Sequence, residues 1–207
     1  MTIRLTGYQF LVTAGPTYEA LDPVRFLGNH SSGKMGYAIA EVLADEGAEV
    51  ILVSGPTQLS IAHSNVKVIP VESAQEMYEA CLEHFPDCKG AILAAAVADF
   101  RPKHKSAEKI KKADKSSYFL ELERTPDILG TLGSMKSVDQ ILGGFSLETT
   151  DPEANARQKL TKKNLDFIAL NLANNPEIGF GKEQNQITLL TDTGEELHYP
   201  VKTKNEV

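Results

Sequence analysis

Apolar residues in this 207-residue chain come in short runs broken by glycine, proline and polar clusters, and the runs alternate between two periods. Residues 10–14, Phe-Leu-Val-Thr-Ala, stop at Gly15-Pro16 and read as a buried first strand. From Gly36 onward Tyr37, Ala40, Val42, Leu43 and Ala44 recur at helical spacing until Gly47, which predicts a helix over about 32–46 with a left-handed stop. Residues 50–53 and 66–71 are β-branched and strand-like, the first closed by Gly55-Pro56. Ser73-Ala-Gln-Glu76 has the form of a capping box, opening a helix to about Phe85. Residues 91–97 are apolar on both faces, as a central parallel strand would be.

The second half continues the alternation. Residues 118–123 suggest a half-exposed strand, and Thr125-Pro126 reads as an N-cap followed by proline at the first helical position. Asp151-Pro152 repeats the device before a helix ending near Lys163. Between them residues 140–145 read as a strand ending in a glycine-rich turn, and residues 167–170 as the next strand. Residues 186–191 and 196–201 flank Asp192-Thr-Gly194 as a hairpin. Strands alternating with helices imply right-handed crossovers. The expected fold is α/β: a three-layer doubly wound, Rossmann-like, mostly parallel sheet with a C-terminal antiparallel hairpin, in a single domain over 1–207. Ligands in such sheets bind beyond the carboxyl ends of the strands. Here those ends fall at residues 14–17, 54–55, 96–99, 145–149 and Asn171.

Composition narrows the function. Hydrophobic residues make 42% and charged residues 24%, which excludes a disordered or fibrous chain. No apolar run approaches the roughly 18 residues of a membrane span, and the N-terminus lacks a signal-peptide pattern, so a cytoplasmic protein is expected. Cys81 and Cys88 form no CxxC pair and read as buried thiols. A net charge of −7 argues against a general nucleic-acid binder. Against that background, seven basic residues between Arg101 and Lys115 face only Glu108 and Asp114. They form either a solvated loop or a cover over a polyphosphate. Arg157, Lys159, Lys162 and Lys163 make a second basic set, with Lys159 and Lys163 on one helical face.

Gly28-Asn-His-Ser-Ser-Gly33-Lys34-Met35 matches the phosphate-loop pattern except at Met35, where the magnesium-binding hydroxyl should stand. Thirteen residues also separate Ala14 from Gly28, so that family is rejected. The local physics remains: Ser31, Ser32 and Gly33 open a helix whose N–H groups attract anions, or form an ordinary serine cap.

Eight segments together resemble one family: Thr13-Ala-Gly-Pro-Thr17, Asp22-Pro-Val-Arg-Phe26, Asn29-His-Ser-Ser-Gly-Lys-Met-Gly36, Ala94-Ala-Ala-Val-Ala-Asp99, Lys109-Ile-Lys-Lys112, Thr125-Pro-Asp-Ile128, Gly144-Phe145 and Lys159-Leu-Thr-Lys-Lys-Asn164. They look like the bacterial phosphopantothenate–cysteine ligase, the second half of the bifunctional flavoprotein of coenzyme A synthesis. The resemblance implies that the 4′-phosphopantothenate carboxylate attacks the α-phosphate of CTP, and that cysteine then displaces CMP from the acyl-cytidylate, with Mg2+ sharing the pyrophosphate charge. It implies Asn29 as donor to the acyl oxygen, Lys109 on the phosphates, Asp99 as acceptor for ligand hydroxyl or amide groups, and Ser31, Gly33 and Gly36 lining the phosphates. Pro126, Asp127, Ile128, Leu129, Phe145, Lys159 and Lys163 would contact the nucleotide, with Ala94 and Ala95 facing the acyl-nucleotide. Arg25 would reach the pantothenate phosphate, in the same or the neighbouring subunit of a homodimer.

The magnesium ligands and the general base for the cysteine amine are left unassigned. The flavin-dependent decarboxylase half is absent from this sequence, and the hairpin is followed closely by Val207 where the family continues into a helix. A short-chain dehydrogenase is the rival enzyme, but no tyrosine has lysine four residues on, and there is no GxGxxG. A nucleotide-sensing dimer is the non-catalytic alternative. Base preference for CTP over ATP is not legible.

Overall fold

The computed structural model describes residues 4–111, 117–148, 151–172 and 184–204. In chain order its strands are β1 (Gln9–Ala14), β2 (Glu19–Ala20), β3 (Phe26–Leu27), β4 (Glu49–Ser54), β5 (Val66–Pro70), β6 (Gly90–Leu93), β7 (Phe100–Pro102), β8 (Leu122–Arg124), β9 (Ile141–Glu148), β10 (Phe167–Leu172), β11 (Gln184–Thr191) and β12 (Glu196–Thr203). The helices are α1 (Lys34–Asp45), α2 (Ala74–His84), α3 (Ile128–Met135) and α4 (Pro152–Lys162), with a 3-10 turn at Phe85–Asp87.

Eight strands make one sheet in the order β12-β11-β10-β9-β6-β1-β4-β5. The six from β5 to β10 are parallel, and β11 and β12 add an antiparallel edge. The chain steps outward from β1 through β4 to β5, then returns to β6 on the other side of β1. Winding reverses there, and the carboxyl ends of β1 and β6 open a crevice.

Alternation along β1 assigns its two faces. Phe10, Val12 and Ala14 pack with Ala40 and Ala44 of α1, together with Val50 and Leu52 of β4. Leu11, Ile51 and Val53 face the other way, against Met77 and Cys81 of α2, Leu132 of α3 and Leu160 of α4. Among the described residues the layers are therefore unequal, with α1 on one side and α2, α3 and α4 on the other. Burial pushes the Cys81 thiol up to about 12, helped by nearby Cys88, and the Cys88 thiol up to about 11, helped by Asp87. Both are inert core residues, as expected.

Several boundaries differ from the sequence reading, each for a local reason. The apolar run 91–97 is strand only to Leu93, because the backbone beyond it is drawn onto the end of β1. The predicted strand at 118–123 shifts to Leu122–Arg124, where Arg101 and Glu123 pair across β7 and β8 at 2.8 Å. Helix α3 is capped by Asp127, which accepts from the Gly130 N–H, and not by Thr125, whose hydroxyl donates to the Ala98 carbonyl at 2.6 Å. Gly143 and Gly144 form no turn; they lie inside β9, where the Phe167 ring and the Leu129 side chain cover them. Helix α1 starts at Lys34 with Gly33 as its cap, so neither serine caps it. The capping box at Ser73 and the left-handed Gly47 are present as read.

Candidate active site

A cavity of about 730 Å³ lies at the crevice. Its walls are the entry to α1 (residues 31–35), the segment 93–100 after β6, the segment 124–129 into α3, and residues 145–147 of β9. Thr13, Lys159, Lys163, Asn171, Asn185 and Lys204 complete it. Of the residues singled out by sequence, the structure brings Ser31, Gly33, Ala94, Ala95, Asp99, Pro126, Asp127, Ile128, Leu129, Phe145, Lys159 and Lys163 into this wall.

Helix α1 points its first turn into the cavity. Gly33 takes φ 81°, a left-handed conformation natural to glycine, and lies against Gly15, where a Cβ would come within 3.3 Å of the Gly15 nitrogen. With glycine as cap, no cap side chain competes with a ligand for the first-turn N–H groups, where the helix dipole favours negative charge.

The segment after β6 is held by β1. The Ala94 and Ala96 N–H groups donate to the Thr13 and Gly15 carbonyls. Those of Ala95 and Ala98 donate to the Thr13 and Thr17 hydroxyls at 3.1 and 3.0 Å. These four N–H groups are thus spent on the scaffold. Asn29 is fastened to the same segment: its Nδ2 donates to the Ala96 carbonyl, while its Oδ1 accepts the Ser31 N–H at 3.0 Å. The amide orientation is fixed from both ends. Its second N–H has no acceptor among the described residues, beside Ser31 and Ala96 of the cavity wall.

Cations outnumber anions around the cavity: Lys34, Arg124, Lys159, Lys163 and Lys204 against Asp99 and Asp127. Lys159 Nζ donates to the Phe145 carbonyl at 3.1 Å, and Lys163 Nζ pairs with Asp127 at 2.7 Å. Burial alone would raise the Asp127 carboxyl. The Lys163 hydrogen bond, the Gly130 N–H and the charges of Lys163 and Lys159 outweigh it and hold the group below its ordinary value. Asp99 is exposed.

Four sequence-singled residues stand outside the wall. Gly36 faces β1, where an added Cβ would lie 2.7 Å from the Thr13 carbonyl oxygen, so its smallness serves helix–strand contact. Asn29 is not itself a wall residue but bonds to Ser31 and Ala96, which are. Arg25 pairs with Asp22 and Lys109 is exposed, both on the neighbouring turn and basic loop. Lys112 and Lys115 lie outside the described residues, as does Thr149. Sequence reasoning placed Asn171 at a strand end without giving it a role, and missed Arg124, Asn185 and Lys204. Asn185 is buried on a strand, and the buried Asn171 Oδ1 has no partner among the described residues. Buried amides on otherwise apolar strands were the available signal.

Residues 5–207 match the family described as the DNA/pantothenate metabolism flavoprotein C-terminal domain. The chain belongs to that family. It is 46% identical over 203 residues to the coenzyme A biosynthesis bifunctional protein CoaBC of Bacillus subtilis strain 168, covering 98% of this chain and 50% of that protein. It is 48% identical over 203 residues to a cysteine/cysteine sulfinic acid decarboxylase of an unknown prokaryotic organism, covering 98% and 56%. The chain spans about half the length of these curated relatives. A crystal structure of the C-terminal domain of a coenzyme A biosynthesis bifunctional protein CoaBC superposes with a TM-score of 0.82 at 45% identity, covering 100% of this chain and 92% of that one. The family's C-terminal domain thus shares this fold, with its mostly parallel sheet and antiparallel end. Among the described residues no helix is long and apolar enough to cross a membrane.

Proposed function

We propose that this domain is a ligase that joins 4′-phosphopantothenate to L-cysteine through an acyl-cytidylate made from CTP, in coenzyme A biosynthesis. The observation that carries the reading is the crevice itself, where an open helix N-terminus and a surplus of cations meet beside a locked asparagine amide. The two relatives bear different names, so the argument rests on this site and on family membership together.

The chemistry has two steps. The substrate carboxylate attacks the α-phosphorus of CTP, the bond to the β-phosphate bridge breaks, and pyrophosphate leaves with the displaced electron pair. Two anions must approach, and the cationic wall lowers their repulsion while holding them in line. The cysteine amine then attacks the acyl carbonyl, whose oxygen becomes an oxyanion, and CMP departs as the amide forms. The second Asn29 N–H is the donor for that oxygen. A neutral amide suits the role, because a cation there would hold the ground-state carboxylate too tightly. Lys109 on the basic loop would meet the phosphates in the first step.

Among the described residues no three His, Cys, Asp or Glu side chains gather as a metal site. Of the two cavity-wall carboxylates Asp127 is paired with Lys163, so Asp99 is the one that would meet magnesium brought by the triphosphate. Held there, the ion would supply charge neutralisation for the departing pyrophosphate. The reading also takes the protein as a cytoplasmic homodimer that works with a flavin-dependent decarboxylase half, in the same chain or a separate one.

Incubation with CTP, Mg2+, 4′-phosphopantothenate and cysteine should yield phosphopantothenoylcysteine and CMP in equal amounts by mass spectrometry. No amide product would overturn the reading. Substituting ATP for CTP in a parallel arm measures base preference.

A further inference from the structure

The turn before β3 holds a buried carboxylate that does more than shape the turn. Asp22 is 2% exposed and accepts five hydrogen bonds. On Oδ1 it takes the backbone N–H groups of Val24 and Arg25, at 2.8 and 2.9 Å, which are the local bonds an Asx turn needs. On Oδ2 it takes Arg25 Nε at 3.0 Å, Arg25 Nη2, and the N–H of Ile110 at 3.0 Å. Arg25 Nη2 also donates to the Ile110 carbonyl at 2.7 Å. Both polar groups of one residue in the basic loop are therefore clasped by a single ion pair, 85 positions away in the chain. The Ser106 N–H, bonded to the Leu21 carbonyl at 2.9 Å, ties the same loop to the same turn.

The turn explains Oδ1 alone. Nothing in it requires Oδ2 to reach Ile110, whose neighbours are Lys109 and Lys111. The Arg25 side chain stays 48% exposed, and its Nη1 has no partner among the described residues, so it can still receive an anion. The Arg25 guanidinium, ahead of the backbone donors and against the effect of burial, holds the Asp22 carboxyl well below the usual carboxylate range. The latch is thus charged at any working pH.

We propose that Asp22 is a positioning residue, which presents Arg25 and the Lys109 segment of the basic loop to the substrate anions as one unit. The proposal rests on the ligase reading above. It gives the loop a fixed hinge point at Ile110 from which Lys109 can swing toward the cavity, while Arg25 keeps one nitrogen outward.

Asp22→Asn isolates the role. Its oxygen can still serve the turn, but an NH2 replaces Oδ2 and opposes three N–H donors, so the latch opens. Amide hydrogen exchange at Ile110 should accelerate tenfold or more relative to wild type, while core amides such as Leu52 keep their rates. In the pyrophosphate-release assay kcat/KM for 4′-phosphopantothenate should fall tenfold or more. The double variant with Arg25→Ala should be no slower than Arg25→Ala alone, since both break one device. Losses that simply multiply, or an unchanged Ile110 amide, would overturn the proposal. If Asp22→Asn does not fold, Arg25→Lys provides the second route, because an ammonium cannot fork to Asp22 and the Ile110 carbonyl together. Its Ile110 amide should also lose protection, and retained protection would count against the latch. An inactive wild type with a protected Ile110 amide would refute the ligase reading and with it the positioning role, leaving only the contact. An active wild type with an equally active Asp22→Asn would refute the positioning role alone.

Discussion

Asn29→Asp should separate the two half-reactions of the proposed ligation. In the native site the amide is held by the Ser31 N–H on one atom and the Ala96 carbonyl on the other, with one N–H left over for the acyl oxygen. Aspartate can keep the Ser31 contact. Its second oxygen, however, has no proton to give to Ala96 and none to give to an oxyanion, and it adds a negative charge beside the developing one. Loss of one preorganised oxyanion donor costs about 3 to 4 kcal/mol, a rate effect on the order of 10² to 10³. The first step builds charge on phosphorus and needs no donor at the acyl oxygen, so it should be slowed much less. Single-turnover quench-flow with labelled CTP should show acyl-cytidylate accumulating while amide formation lags. Amide formation at the wild-type rate would refute the assignment of Asn29.

Lys109→Gln should slow acyl-cytidylate formation a hundredfold or more with the melting temperature unchanged, whereas Lys105→Gln should stay active; equal rates in both would return the loop to a solvated charge run. Gly143→Ala would place a Cβ 2.0 Å from the Phe167 ring, so calorimetry should find roughly 1 to 3 kcal/mol lost, about 2 to 12 °C in Tm, and a drop under 1 °C would contradict the packing argument. Asp127 is held below its ordinary value of 3.8, so its pairing with Lys163 stabilises the fold above that pH and is lost as pH falls through the lower native value. With the Asp127 side chain 59% exposed, Asp127→Asn should cost under about 1 kcal/mol at neutral pH, and urea titrations of the two proteins should converge below about pH 4.

What could be read from sequence was what neighbours in the chain decide. Gly15-Pro16, the Ser73 capping box, Gly47 and the Asp192-Thr-Gly194 turn all act within a few residues, and the elements they bound are where the pattern puts them. The misplacements come from partners distant in sequence. Residues 94–97 look like more strand, but the N–H groups of Ala94, Ala95 and Ala96 answer to Thr13 and Gly15 at the end of β1. Gly143-Gly144 looks like a turn until Phe167 and Leu129 are seen to need the space. Thr125 has the composition of a cap, yet Ala98 claims its hydroxyl. The candidate site divides the same way. The segments from β1, β6, α3 and α4 carry recognisable motifs, and most converge on one cavity. Asn185 and Lys204 come from the antiparallel end, where an isolated polar residue carries no motif, and Asn171 was legible only as a strand end. The clasp between Asp22, Arg25 and Ile110 spans too much chain for any local pattern to announce it.

The central claim is that this crevice activates a carboxylate with a nucleotide before cysteine takes part. Pyrophosphate release should therefore be followed from CTP and Mg2+ with the wild-type protein, with and without 4′-phosphopantothenate, in the complete absence of cysteine. The account predicts a burst approaching one pyrophosphate per site that depends on 4′-phosphopantothenate, followed by steady turnover only when cysteine is added. No burst with 4′-phosphopantothenate, or the same release without it, would contradict the account.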